Sequence, residues 1–322
     1  QMQIDFFSVG CNQPYRITKP IRLIELFAGI GSQAKALKKL GANFEHYRIC
    51  EFDKYAIQSY NAIHGTDFKP SDITKITADD LGITDTDKYE YIMTYSFPCQ
   101  DLSVAGKQAG MAKGSGTRSG LLWEVERLLR ECKDLPQVLL MENVPQVLNG
   151  DFGGWLDFLD SLGYKNYYKK LNAKNFGIPQ NRERCFMVSV LGNYYYDFPK
   201  EIPLLIHIDD IKLPYEKLQQ FTKNYYGNKY IKNGTLNKAL KMGMAKLDGE
   251  ISCCITARSA ASANTQYLTR DNGEITIIDG KELFKIFGFT DSDFDKAKAS
   301  GVSDSQLYKQ AGNSIVVPVL EA

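Results

Sequence analysis

Apolar and polar positions alternate in blocks along the first two thirds of this chain. The run Ile21-Arg22-Leu23-Ile24-Glu25-Leu26-Phe27 is apolar and β-prone, and Ala28-Gly29-Ile30-Gly31-Ser32 follows it as a turn. A helical pattern comes next, with Ala34, Leu37 and Leu40 on one face and Gly41 as its stop. The same reading predicts further strands around 47–51, 91–97, 137–142 and 185–191, and helices near 54–63, 121–132 and 154–162. Strands alternating with helices predict an α/β fold built on a parallel sheet. Between 192 and 275 the alternation gives way to tyrosines, lysines and short apolar runs. Regular patterning returns at Lys281–Phe287 and at Ile315–Leu320. The expected organisation is a sheet domain over 1–191 to which 304–322 returns, a smaller, mostly irregular or β domain over 192–275, and a hinge over 276–303.

Composition narrows the class. With 322 residues, 43% hydrophobic and 24% charged, the chain has the make-up of an ordinary water-soluble protein, long enough for one large domain and a smaller one. No stretch reaches the apolar length of a membrane span and the amino terminus carries no signal pattern, so a cytoplasmic location is expected. Seven cysteines, odd in number and without a Cys-x-x-Cys pair, argue for reduced thiols rather than disulfides or a zinc site. His46, His64 and His207 form no helical pair, and no metal is expected.

Net charge is +1, but its distribution is uneven. Residues 212–246 hold eight lysines against the single acid Glu216, interleaved with Tyr215, Phe221, Tyr225, Tyr226 and Tyr230. Such a stretch can neutralise phosphates and stack on bases, although an isolated lysine run is more often a solvated face.

Two places carry candidate chemistry. Cys99, in Tyr95-Ser96-Phe97-Pro98-Cys99-Gln100-Asp101, sits where an apolar strand runs into a loop holding Gly106, Gly110, Gly114 and Gly116. Ligands and chemistry in open α/β sheets gather beyond the carboxyl ends of strands, while most cysteines are inert core packing. The turn Phe27-Ala28-Gly29-Ile30-Gly31 lets a ligand approach backbone at a helix start, but it lacks the third glycine of the dinucleotide fingerprint. Glu51, twenty residues beyond Gly31, is spaced to accept hydrogen bonds from ribose hydroxyls, and Asp72-Ile73 to close a third strand end over an adenine.

Phe27-Ala28-Gly29-Ile30-Gly31, Phe97-Pro98-Cys99-Gln100, Glu142-Asn143-Val144, Gln180-Asn181-Arg182-Glu183-Arg184 and Gly312-Asn313-Ser314 occur in the order seen in DNA (cytosine-5)-methyltransferases of bacteria and phages. Each motif is only modestly specific; all five in order over residues 21–320 are far more so. The chain resembles that family. The resemblance implies an S-adenosylmethionine-dependent, Rossmann-like methyltransferase fold and a target-recognition domain over 192–275. It implies Cys99 as the nucleophile at cytosine C6, Glu142 as proton donor to N3, Arg184 on the O2 edge and Arg182 in ordering the site. For S-adenosyl-L-methionine it implies Phe27 on the adenine, Ala28, Gly29 and Gly31 in the turn, Glu51 on the ribose, Phe52 and Ile73 beside the adenine, and Asp72 on its amine. Pro98, Leu121, Asn313 and Ile315 complete that pocket by the same resemblance. The loop from Gln100 to Arg118 is expected to close over a flipped cytosine. Duplex DNA is the implied partner, the protein a monomer, and a cognate restriction endonuclease its companion in the cell.

The chain departs from the family at both ends. About twenty residues precede the first strand, where Phe6-Phe7 suggests packing against something, and the sequence stops at Ala322, where the family commonly continues a longer final helix. No side chain marks the base that removes the C5 proton. A nicotinamide or flavin oxidoreductase would share the glycine turn and following acid but not Pro98-Cys99 with Glu142-Asn143-Val144. A non-catalytic regulator would be expected to have lost Cys99 or Glu142. A transfer-RNA cytosine methyltransferase shares much of the architecture, and the basic second domain favours DNA.

Overall fold

The computed structural model describes residues 13–98, 119–149, 151–224, 231 and 234–322. Its first two hundred residues run β1 (Gln13–Pro14), β2 (Ile21–Leu26), α1 (Ser32–Lys39), β3 (Phe44–Cys50), α2 (Lys54–His64), α3 (Ala78–Leu81) and β4 (Glu90–Tyr95). They continue with α4 (Leu122–Glu131), β5 (Val138–Asn143), α5 (Phe152–Ser161), β6 (Tyr164–Asn172), β7 (Glu183–Leu191) and β8 (Tyr194–Tyr195). Six strands form one sheet in the order β3-β2-β4-β5-β7-β6. Strands β3, β2, β4 and β5 are mutually parallel, whereas β7 runs antiparallel to both of its neighbours. The parallel sheet expected from periodicity is therefore mixed, and β6, absent from the sequence reading, forms its edge.

The miss has a physical cause. Central strands such as β2 and β5 are covered on both faces and read as apolar runs. β6 reads Tyr-Lys-Asn-Tyr-Tyr-Lys-Lys-Leu-Asn and buries only Tyr164 and Leu171, with the lysine-rich character that keeps an edge strand from pairing with other chains.

Chain order reverses about β2, whose two neighbours are β3 and β4, and ligand crevices form at such a switch point. One hydrophobic core lies under α4 and α5, where Leu122, Val125, Leu128, Leu129, Trp155 and Leu159 meet Met93, Tyr95, Leu139 and Met141. Trp155 Nε1 donates to Tyr95 Oη at 3.1 Å, fixing the end of β4 against α5. The second core is continuous from Ile30, Ala36 and Phe186 through Leu236, Tyr267 and Ile277 to Phe284, Leu307 and Val317.

Residues 192–275 contribute β9 (Lys246–Leu247) and β10 (Gln266–Thr269), joined in a three-stranded sheet by β11 (Ile275–Ile277). Within 276–303, read as a hinge, the helices Gly280–Lys285 and Asp291–Ala299 pack into the second core. Lys35 on α1 reaches Asp293 at 2.7 Å. Arg270 and Glu282 form a fully buried ion pair, and all five guanidinium donors are used, on Thr276 Oγ1, the Leu213 and Ile277 carbonyls and both Glu282 oxygens. This satisfaction is what makes a dry ion pair tolerable. At the amino end, β1 pairs with β8; Phe6, Phe7 and Cys11 lie outside the described residues.

Candidate active site

The candidate cofactor end is assembled by the chain turning sharply out of β2. Phe27 has φ 57°, Gly29 φ 55° and Gly31 φ 81°, so three of five turn residues are left-handed. A side-chain-bearing residue there is strained by about 1–3 kcal/mol, which the surroundings must hold in place. Phe27 N donates to the Cys50 carbonyl at 2.7 Å and Gly29 N to Glu51 Oε2 at 2.8 Å. A side chain at Gly29 would meet nothing within 4 Å, so the backbone there is open to a ligand. Glu51 Oε1 accepts from Asp53 N at 2.9 Å, and burial raises its carboxyl pKa against those two backbone donors. Ser71 N donates to the Glu51 carbonyl at 2.8 Å, which brings Asp72 and Ile73 to the same strand end.

Phe52, between Glu51 and the helix cap Asp53, is 77% exposed. An aromatic ring left that bare beside a glycine turn is a platform for a flat ligand. Ile73 is buried, and Asp72 Oδ1 accepts from Thr74 N and Oγ1. Arg127 on α4 donates to the Ile73 carbonyl at 2.9 Å, connecting this edge to the helix that half-buried Leu121 begins. Lys309 pairs with Asp53 at 3.0 Å and Ser59 donates to Gln310 Oε1 at 2.7 Å, so the helix Asp304–Asn313 lies along α2. Asn313 at its end is exposed; Ile315 is buried in the second core.

The candidate catalytic end is built from β5 and β7. Glu142 is 7% exposed at the end of β5, across from Phe186 of β7. Arg184 Nε lies 3.4 Å from Glu142 Oε1. Burial raises the Glu142 pKa, with Arg184 and then Arg182 pulling the other way. Glu142, Arg182, Arg184, Leu171, Ala173, Phe186, Val316 and Val319 line a small cavity of about 10 Å³, room for roughly one water. Asn143 Nδ2 donates to the Phe97 carbonyl at 3.1 Å, tying this strand end to half-buried Pro98. Cys99 and the loop to Arg118 lie outside the described residues.

The Gln180–Arg184 string also bolts three chain segments together. Gln180 donates to the Ile286 carbonyl at 2.9 Å and accepts from Ile255 N at 3.2 Å. Arg182 is 5% exposed and donates to the carbonyls of Ile255, Gly312 and Ser314 at 2.7, 3.2 and 3.1 Å. Gly312 passes so near Thr256 that a Cβ would fall 2.3 Å from its carbonyl atoms, so only glycine fits. Cys254, which sequence reasoning passed over, puts Sγ 3.8 Å from Arg184 Nη2 and 3.9 Å from Arg182 Nη1. Nothing local in the sequence signals that contact, since seventy residues separate the partners.

A mainly parallel sheet with one antiparallel strand, a glycine turn at its switch point and an acid at the neighbouring strand end define an S-adenosylmethionine-dependent methyltransferase fold. The sequence matches the family described as C-5 cytosine-specific DNA methylase over residues 21–322. Type II methyltransferase M2.ScrFI of Lactococcus lactis subsp. cremoris is 34% identical over 362 residues, covering 94% of this chain and 97% of that protein. Orphan methyltransferase M.SssI of Spiroplasma monobiae is 33% identical, covering 95% and 96%. Among solved structures, the S. pombe Dnmt2 methyltransferase superposes with a TM-score of 0.73 at 21% identity, covering 94% of this chain and 96% of that one. The chain belongs to the C-5 cytosine-specific DNA methylase family and is a DNA (cytosine-5)-methyltransferase. Among the described residues no helix is long and apolar enough to cross a membrane.

Proposed function

We propose that the protein methylates carbon 5 of a cytosine turned out of duplex DNA, through a covalent bond from Cys99 to carbon 6. The observation that carries this reading is Glu142, buried at the end of β5 with Arg184 3.4 Å away and Asn143 gripping the strand that leads to Pro98. Carbon 5 of cytosine is a poor nucleophile until the ring becomes an enamine. The Cys99 thiolate adds at C6, the displaced electron pair moves toward N3, and the Glu142 carboxyl gives N3 its proton. Burial favours the protonated carboxyl needed for that step. Arg184 holds the O2 edge, and Arg182 holds the frame around it. Once carbon 5 carries the methyl group, transfer of its remaining proton to a water or hydroxide restores the C5–C6 double bond and expels the Cys99 thiolate, and the N3 proton returns to Glu142.

The cofactor residues fit S-adenosylmethionine: open backbone at Gly29, a half-buried carboxylate at Glu51 and the bare ring of Phe52 match an adenosine. When bound, it supplies an electrophilic methyl group on a sulfonium. Phe27, Ala28, Gly31, Asp72, Ile73, Pro98, Leu121, Asn313 and Ile315 complete the proposed pocket. Residues 192–275 are the proposed DNA reader, with 1–191 and 304–322 as the catalytic body, and a cognate endonuclease the proposed companion. Transfer RNA ranks below DNA as substrate, because the family matched over residues 21–322 is described as a DNA methylase.

Incubation with duplex DNA carrying 5-fluorocytosine in its target, in the presence of S-adenosylmethionine, tests the mechanism. Fluorine blocks the final elimination, so an adduct should form on the peptide containing Cys99, and Cys99→Ser should form none while still binding DNA. Methyl transfer without any such adduct would overturn the covalent route. Bisulfite sequencing of a methyl-free plasmid after expression reads out the target.

A further inference from the structure

The turn Phe27–Gly31 holds three left-handed residues, one of them a phenylalanine, and such a backbone persists only where its surroundings over-determine it. Glu51 restrains one side through Gly29 N. A second restraint comes from α2. His64 Nε2 lies 2.9 Å from the Ile30 carbonyl, which can only accept, so Nε2 carries a proton, and burial lowers the ring's pKa to about 4, which keeps it neutral near pH 7. A Cβ on Gly31 would fall 2.4 Å from His64 Nε2 and 2.6 Å from Tyr60 Cε2, so the two rings pack directly on the turn's backbone. Tyr60 Oη donates to Glu25 Oε2 at 2.5 Å and meets His46 Nδ1 at 2.8 Å, while Glu25 Oε1 accepts from Ala34 N in the first turn of α1 at 3.4 Å. The buried carboxyl of Glu25 thus ties both ends of the turn, the strand that enters it and the helix that leaves it, to one tyrosine.

We propose that His64 and Tyr60, one helical turn apart on α2, are positioning residues that set the backbone of the cofactor turn. The proposal rests on the S-adenosylmethionine reading of that turn. His64 pins the carbonyl of Ile30, and Tyr60 pins the strand end below it through Glu25. His46 packs with its ring centroid 5.1 Å from that of His64, tilted by 51°, and completes the cluster, with Asp293 and Lys35 as the charges acting on His64.

Calorimetric titration of S-adenosylmethionine into the full chain, with steady-state methyl transfer beside it, tests this. His64→Leu removes the donor, His64→Gln keeps an N–H at nearly the same reach, and Tyr60→Phe removes one hydroxyl without changing shape. His64→Leu and Tyr60→Phe should each weaken cofactor binding roughly five- to tenfold, the scale of one lost buried hydrogen bond. His64→Gln should restore affinity to within about twofold by keeping that bond. The loss should appear in the KM for S-adenosylmethionine and not in kcat. A role confined to stability would instead lower the melting temperature and leave the affinity of the folded protein untouched. Should His64→Leu fail to fold, Tyr60→Phe and His64→Gln carry the comparison. Wild-type affinity in His64→Leu and Tyr60→Phe overturns the proposal if Glu51→Ala still weakens binding. If Glu51→Ala is also without effect, the cofactor reading itself fails.

Discussion

The side-chain amide of Asn143 donates to the backbone carbonyl of Phe97 at 3.1 Å, so the end of β5 grips the segment that leaves β4, two residues before Cys99. Its own Oδ1 accepts from Val144 N at 2.8 Å, which fixes the amide's orientation. One residue therefore couples the proposed proton donor next to it with the strand that delivers the proposed nucleophile. Asn143→Ala should lower kcat by about 5- to 160-fold, the value of a buried hydrogen bond of roughly 1–3 kcal/mol, with DNA affinity little changed. Single-turnover methylation with equilibrium DNA binding checks it, and unchanged turnover would uncouple the two strand ends.

Glu142 and Arg184 make a pH prediction with a defined sign. Burial raises the Glu142 pKa, and Arg184 is the first of the two charges opposing it. The acid form gives the proton, so kcat falls as pH rises through this pKa. Arg184→Ala removes the leading opposition and should move that alkaline limb to higher pH while lowering the plateau. Glu142→Gln should cost about 10²- to 10⁴-fold, the usual worth of a positioned general acid. A limb that stays in place in Arg184→Ala would mean another group supplies the proton.

Glu51 is expected to dominate cofactor affinity. Glu51→Ala removes the carboxylate that holds Gly29 N and Asp53 N, and should weaken S-adenosylmethionine binding by about 1–3 kcal/mol. Tight binding of a nicotinamide nucleotide in the same titration would point to different chemistry.

Beneath the turn, a buried carboxyl and a half-buried imidazole pull the stability curve in opposite directions. Burial raises the Glu25 carboxyl from 4.5 to about 7, with the Tyr60 and Ala34 bonds opposing it. Its contribution is full below 4.5 and is lost as pH rises to about 7. Burial lowers His64 from 6.5 to about 4, so its contribution is full above 6.5 and is lost as pH falls to about 4. Each shift is on the order of 3 kcal/mol across its window, and between pH 4.5 and 6.5 the two slopes offset. Denaturant unfolding across this range should show Glu25→Gln gaining stability, relative to wild type, as pH rises from 4.5 to 7, and His64→Gln losing the acid-side decline. Parallel curves for wild type and both variants would contradict these assignments.

Lys238 and Lys241 lie on the helix Thr235–Lys241 in the proposed DNA reader. A lysine is a flexible point charge suited to phosphate, so each Lys→Ala should weaken target and non-target DNA about equally and reduce the salt slope by about one. Lys229, Lys232, Tyr225, Tyr226 and Tyr230 belong to the same stretch but lie outside the described residues. Unchanged affinity and slope in both variants would remove this helix from the DNA interface.

Much of the sheet was legible in the chain because burial on both faces forces a central strand to be apolar throughout. β2, β4 and β5 announce themselves in this way, and α2 declares its start at Asp53 and its end at Gly65. The places of two candidate residues were legible for a related reason: Glu51 could be set at the end of the second strand by counting from Gly31, and Glu142 at the end of an apolar strand by resemblance to the family. What periodicity cannot carry is pairing. The antiparallel course of β7 and the edge position of β6 depend on which strands exchange backbone hydrogen bonds, and exposed Tyr and Lys residues give no apolar rhythm to read. Nor could the chain reveal that Arg182 spends its guanidinium on the carbonyls of Ile255, Gly312 and Ser314, or that Gly312 must lack a side chain to pass Thr256. Those contacts join residues up to 132 positions apart, and only the closed tertiary structure brings them within hydrogen-bond reach.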